Sequence, residues 1–141
     1  RPLRDIHSRE KVTAMTIVNP FRYEAQPSYY SPKDAFVAML PATIGTKNDL
    51  LEALASSLVF PAYFGFNWDA LFDCLRDFSW LDEHDIVLVH PDLPLLQQSE
   101  LKIYLRLLRD SVLDWRPDEA HRFEVVFAES DKEAVERMLR E

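Results

Sequence analysis

Phe60-Pro61-Ala62-Tyr63-Phe64-Gly65-Phe66-Asn67-Trp68-Asp69-Ala70-Leu71-Phe72-Asp73-Cys74-Leu75 is the stretch that decides how the rest of this chain is read. Its first half is an aromatic loop. Pro61 removes a backbone donor, and Gly65 permits a positive φ. Asn67 is expected to cap a helix, its side-chain oxygen accepting from one of the first free N–H groups. From there Leu71, Cys74, Leu75 and Phe78 recur at helical spacing and form one apolar face, so the helix is expected over residues 67–78. Asp69, Asp73 and Asp77 fall at i, i+4 and i+8 on the other side. Like charges on one stripe repel by a few tenths of a kcal/mol per exposed pair, about 0.2–0.5. Only Arg76 stands nearby to offset them. An acidic stripe flanked by Tyr63, Phe66 and Phe72 is suited to a positively charged partner.

The charge distribution around this stretch agrees. The chain has 141 residues, 24 acidic against 16 basic, net −8. Residues 48–82 carry six acids and one base, whereas residues 1–33 carry six bases and three acids. Acidity concentrated at the central stretch disfavours direct nucleic-acid binding there and favours a basic partner, although acidity by itself also serves solubility. The length fits one domain, and 48% hydrophobic residues suffice for a core. With only two glycines, Gly45 and Gly65, phosphate-cradling loops are nearly excluded. The single cysteine, Cys74, forms no internal disulfide and falls on the apolar helix face. A buried, inert thiol and a reducing, cytoplasmic compartment are expected. No apolar run approaches a membrane span, and no signal-peptide core is present, so no membrane partner is expected. Met15 is one candidate for a natural start, and residues 1–14 carry no weight in the fold reading.

Working outward, Met15 to Val18 reads as a short strand. Asn19 to Pro32 reads as a loop broken by Pro20, Pro27 and Pro32, whose Tyr23, Tyr29 and Tyr30 are expected to pack as a strap. Ala35 to Leu40 and Asp85 to His90 read as buried strands, and Arg122 to Ala128 as a third. Leu50, Leu51, Leu54 and Leu58 mark a helix capped by Thr46 or Asn48. Leu101, Tyr104, Leu105, Leu108, Val112 and Trp115 mark a long helix, expected to be capped by Ser99 and closed by Pro117. Ser130 is expected to cap a last helix with Ala134, Val135, Met138 and Leu139 inward. The order β-α-α-β-α-β-α implies an α/β fold with a parallel sheet and right-handed crossovers. The pattern alone leaves flavodoxin-like and Rossmann-like sheets open.

No catalytic constellation assembles. Asp69 and Asp73 at i, i+4 could hold a divalent ion, but a convex helix face is a poor place for a hydrolase. His7, His84, His90 and His121 lack metal-ligand spacing with one another, and each is expected to be exposed or satisfied. No serine lies in a nucleophile-elbow pattern. No catalytic residue, cofactor or metal is therefore expected. Trp68 and Trp80 are expected in the core. Phe72 and Tyr63 are expected as partly exposed contacts, the composition of an interface hot spot.

Pro61-x-Tyr63-Phe64-Gly65-x-Asn67-Trp68-Asp69-Ala70-Leu71-x-Asp73-Cys74-Leu75 resembles the signature of the barstar family of ribonuclease inhibitors. The motif is matched without a gap from Phe60 to Leu75, and weaker similarity extends over roughly Ala35 to Glu129. The resemblance implies a three-stranded parallel sheet flanked by helices over residues 35–141. Residues 1–34 then form a partly irregular N-terminal extension, and the last helix is an addition. It also implies an inhibitor, not an enzyme, that is a cytoplasmic monomer when free and plugs the active site of a basic ribonuclease, of the barnase type or another toxin nuclease. Asp73 matches the family's principal phosphate mimic, and Asp69 an acidic contact one turn earlier. Tyr63 and Asn67 match positions in and beside the contact loop. Phe72 stands where the family's namesake has Trp, so an aromatic is kept and an indole N–H lost. Aligned through Leu107-Leu108-Arg109-Asp110, Asp110 falls where an acidic residue joins the contact surface. Its plain reading is a solvated residue paired with Arg106 or Arg109. The alternative function is an immunity or adaptor protein binding a different basic protein through the same face.

Overall fold

The structure is a computed structural model and describes residues 19–141. The strand expected at Met15–Val18, the candidate start at Met15 and His7 lie outside the described residues. In chain order the elements are β1 (Arg22–Glu24), β2 (Ala35–Met39), α1 (Lys47–Ser57), α2 (Trp68–Leu75), β3 (Asp85–Val89), α3 (Gln98–Asp114), β4 (Arg122–Ala128) and α4 (Lys132–Arg140). One-turn 3-10 segments, Pro27–Tyr29 and Glu129–Asp131, follow β1 and β4.

The strands form one parallel sheet in the order β1-β4-β3-β2. Strand residues alternate between its two faces. Ala38, Ile86, Leu88, Phe123, Val125 and Phe127 point into the main core, with Leu50, Leu51 and Leu54 of α1, Leu71 and Leu75 of α2, Leu101, Tyr104, Leu105 and Leu108 of α3 and Val135 and Leu139 of α4. On the opposite face Val87, Val89 and Val126 form a small cluster with Ala35, Val37 and Tyr30 against it.

The sheet has four strands, not three. The fourth, β1, lies in the segment expected to be a loop, and pairs Arg22, Tyr23 and Glu24 with Val126, Phe127 and Ala128. Phe21-Arg22-Tyr23-Glu24 does alternate apolar and polar residues. A run that short between prolines gives too weak a period to outweigh them. The tertiary reason is clear: the rings of Phe21 and Tyr23 both lie against Phe127, at 5.2 and 6.4 Å between centroids. Tyr30 donates to Glu124 at 2.8 Å, with the Arg22 guanidinium over its ring. Tyr23 and Tyr30 are thus packing residues as expected, whereas Tyr29 is 79% exposed.

Two expected caps differ. α3 begins at Gln98 with Gln97 in the N-cap position, and α4 begins after Asp131, neither with a side-chain cap bond. Ser99 is therefore inside its helix, and Ser130 lies in the preceding 3-10 turn. In contrast, Thr46 Oγ1 accepts from Asp49 N at 3.0 Å, as a cap should.

One polar pair is sealed in the core. His90 follows β3 and is fully buried, its ring stacked on Phe127 at 4.2 Å. Its Nδ1–H donates to the Val126 carbonyl at 3.0 Å, which leaves Nε2 to accept from the Tyr104 hydroxyl at 2.7 Å. The neutral imidazole is thus satisfied at both ring nitrogens. Burial pushes its pKa down to about 3, against a partial opposing effect of the Val126 carbonyl.

Candidate protein-binding face

The aromatic loop and α2 share one side of the molecule. Asn67 caps α2, its Oδ1 accepting from Ala70 N at 2.7 Å. Its Nδ2 reaches the Gly65 carbonyl at 3.4 Å. The side chain is thus engaged in shaping the loop-to-helix corner. Asn67→Ala is expected to cost about 1 kcal/mol of stability, checked by denaturant unfolding.

Gly65 does not take the positive φ; Phe66 does, at 54°. A Cβ added at Gly65 would make only ordinary contacts, 3.4 Å from Asn67 Nδ2 and 3.6 Å from the Ala70 Cβ, so neither φ nor space requires glycine there. The left-handed Phe66 turns its ring outward, 50% exposed, against Phe64 at 4.7 Å. Such backbone costs a non-glycine residue about 1–2 kcal/mol and is held here by the packed loop around it. Phe64 is buried, and Phe60 meets both it and Trp80 edge-on.

The helix is shorter than its apolar spacing predicts. It ends at Leu75, and Arg76 is the C-cap. Two contacts stop it. Trp115 Nε1 donates to the Leu75 carbonyl at 2.8 Å, and Phe78 adopts φ 51°, reversing the chain while its ring enters the core. Asp77 is therefore not the third member of a helical stripe. It lies in the turn, where Oδ1 accepts from Ser79 N at 3.2 Å and Oδ2 from the Tyr63 hydroxyl at 3.4 Å.

This turn brings three of the expected site residues together by another route. Tyr63, Asp73 and Asp77 line a cleft of 270 Å³ with Phe64, Ala70 and Cys74. Tyr63 is 71% exposed, and its hydroxyl is shifted above its ordinary range by desolvation and by the Asp77 carboxylate. Cys74 forms the cleft's buried floor. Desolvation, then Asp77 and Asp73, push its thiol up to about 11. Little thiolate exists at neutral pH, so Cys74 is expected to resist an aromatic disulfide reagent until the protein unfolds. Thiol counts with and without denaturant check this.

Asp69 and Asp73 are exposed on successive turns of α2. Among the described residues neither they nor Asp77 form an ion pair. Arg76 does not offset them. Its Nε meets Asp114 Oδ2 at 2.6 Å, its Nη2 meets Glu119 Oε2 at 3.2 Å, and its guanidinium lies 4.1 Å from the centre of the Trp115 ring. Phe72 is half-buried, as its place between the two faces implies. It lies one turn after Trp68, which packs 6.3 Å from Tyr104 of α3 and receives Lys47 over its ring. Asp110 is exposed on α3 and paired with Arg109 at 3.1 Å, which is its plain reading. Spacing could not reveal that Arg76 is turned away from this face, because its partners lie 38 and 43 positions away.

A second cleft, of 400 Å³, is lined by His84, Trp115, Arg116, His121, Arg122 and Glu124, among others. Its charged walls pair locally: Arg122 with Asp85 and Glu124, His84 with Asp85, Arg116 with Asp118. It lacks the unpaired charge of the α2 face. Among the described residues no helix is long and apolar enough to cross a membrane.

A family model described as Barstar (barnase inhibitor) matches residues 35–128. A search of curated proteins finds no significant match. The matched span takes in β2, α1, the aromatic loop, α2, β3, α3 and β4, while β1 and α4 fall outside it. With well over half of its length matched, including the whole loop and acidic helix, the chain belongs to the barstar family.

Proposed function

We propose that this protein inhibits a basic ribonuclease by seating Asp73 where the enzyme binds the RNA phosphate. The observation that carries the reading is the Asp73 carboxylate itself: exposed, without a cationic partner among the described residues, and at the wall of a cleft shared with Tyr63 and Asp77. A ribonuclease site holds a phosphodiester with arginine, lysine and histidine. A carboxylate on a rigid helix can accept the same charge-assisted hydrogen bonds. Because α2 is capped at Asn67 and tied at Leu75, little side-chain or backbone ordering remains for the complex to bring about. Asp69 adds a second negative charge on the same side. Tyr63, Phe66 and Phe72 supply aromatic contact area around the carboxylates. Asp110 is the outlying member, since Arg109 already partners it.

In this reading the protein neutralises a nuclease toxin in the cytoplasm, as a monomer in its free state. It takes no cofactor and performs no chemistry. The net −8 charge speeds encounter with a basic enzyme, so the association rate falls steeply as salt rises. Occupation of the phosphate site makes inhibition competitive. A mononucleotide bound in the ribonuclease site is expected to lower the apparent affinity in proportion to its own occupancy. Affinity unchanged at saturating mononucleotide would place the contact elsewhere on the enzyme.

A further inference from the structure

The only base between residues 48 and 82 is Arg76, and it follows α2 directly. It lies three positions after Asp73, whose carbonyl its backbone N–H meets at 3.3 Å, and it adjoins Asp77. Residues three apart on a helix are neighbours. A free arginine side chain here is within reach of the Asp73 carboxylate. It would be an internal competitor for any basic partner of that face.

The side chain is instead turned towards the end of α3. Asp114 takes Nε at 2.6 Å, Glu119 takes Nη2 at 3.2 Å, and the Trp115 ring lies beneath the guanidinium. The holders are themselves fixed. Glu119 Oε1 accepts from Arg116 N at 2.7 Å, and Trp115 is tied to the Leu75 carbonyl. The backbone N–H of Arg116 holds the Glu119 carboxyl below its usual range, with Arg76 contributing, so it stays charged. The Arg76 side chain is only 20% exposed. Its Nη1 is buried without an acceptor among the described residues, so hydrogen-bond satisfaction alone does not account for the placement.

We propose that Asp114 and Glu119 are positioning residues that hold Arg76 off the acidic face and so keep Asp73 open to a basic partner. The consequence for binding rests on the ribonuclease-inhibitor reading above; the sequestration itself does not. It is a built-in arrangement in which two carboxylates outside the contact face govern the charge of those inside it.

The test is the double variant Asp114→Asn, Glu119→Gln, with the exposed pair Glu129→Gln, Glu133→Gln as a control of equal charge change. Two readouts need no partner. By NMR, the ring-current shift that Trp115 imposes on the Arg76 side chain is expected to disappear. Nuclear Overhauser contacts from Arg76 to the Asp73 side chain are expected to appear. A persisting ring-current shift, or release without contact to Asp73, overturns the proposal. Against a basic ribonuclease, the double variant is expected to associate about three- to tenfold more slowly than the charge control. Adding Arg76→Gln is expected to restore the rate, although a merely structural role for Arg76 predicts further loss. Slow association that Arg76→Gln fails to restore also overturns it. If Asp73→Ala likewise leaves binding unchanged, the inhibitor reading fails, and the NMR contacts still decide the sequestration.

Discussion

Asp73→Ala is expected to weaken inhibition of the ribonuclease partner by more than about 2 kcal/mol, roughly thirtyfold in dissociation constant. The loss is large because truncation does more than remove one carboxylate. The arginine and lysine side chains that gather around it in the complex are left desolvated and unpaired. Folding stability is expected to change little, since Asp73 is exposed and makes no ion pair among the described residues. Relief of repulsion from Asp69 is worth a few tenths of a kcal/mol at most, about 0.2–0.5. Asp110→Ala serves as the contrast. Asp110 is already held by Arg109, and its truncation is expected to cost less than about 1 kcal/mol of affinity. Inhibition constants for the two variants, measured beside their thermal unfolding, check both statements. Equal losses for the two would mean that the contact surface is centred closer to α3.

Acid is expected to unfold this protein in a window set by His90. The histidine is neutral in the folded state because its pKa there is about 3, against an ordinary value near 6.5. Its contribution to stability is present in full above pH 6.5 and is lost as the pH falls towards 3, because the unfolded chain binds the proton and the folded one does not. Between pH 7 and pH 4 the loss is about 3 kcal/mol, from roughly 1.36 kcal/mol per unit of pKa difference. A proton on His90 would also reverse the bond with Tyr104, whose hydroxyl would then have to accept from Nε2–H. His90→Gln cannot take up the proton. It is expected to be less stable than wild type at pH 7, with a shallower fall to pH 4. Urea unfolding at the two pH values gives the comparison. Parallel curves for the two proteins would assign the acid sensitivity to carboxylates elsewhere.

Much of this molecule is legible from local pattern. The long α3 announces itself by period, and Leu101, Tyr104, Leu105 and Leu108 are all buried. β4 begins and ends where Arg122 and Ala128 bound its apolar run. Asn67 and Thr46 cap the helices that their positions imply. What escapes local pattern has its causes far along the chain. β1 exists because Phe127 offers its aromatic residues a surface, across more than a hundred residues. α2 stops at Leu75 because Trp115 takes its carbonyl, although Phe78 continues the helical spacing. Asp77 leaves the stripe for the same reason, yet the turn returns it to Asp73 and Tyr63 through the cleft. Arg76 was the natural candidate to neutralise the acidic helix by proximity in sequence. It is drawn away by Asp114 and Glu119, which no spacing rule connects to it. The site residues were visible as a composition; their charge state as a surface depends on that tertiary contact.

The most direct test of the central claim is an inhibition titration against a small basic bacterial ribonuclease, with enzyme held well above the expected dissociation constant. Activity is expected to fall linearly to zero at one inhibitor per enzyme, and folded Asp73→Ala is expected not to produce this endpoint. Full ribonuclease activity in the presence of excess folded wild-type protein would contradict the account for that enzyme class and direct the acidic face to a basic partner that is not a ribonuclease.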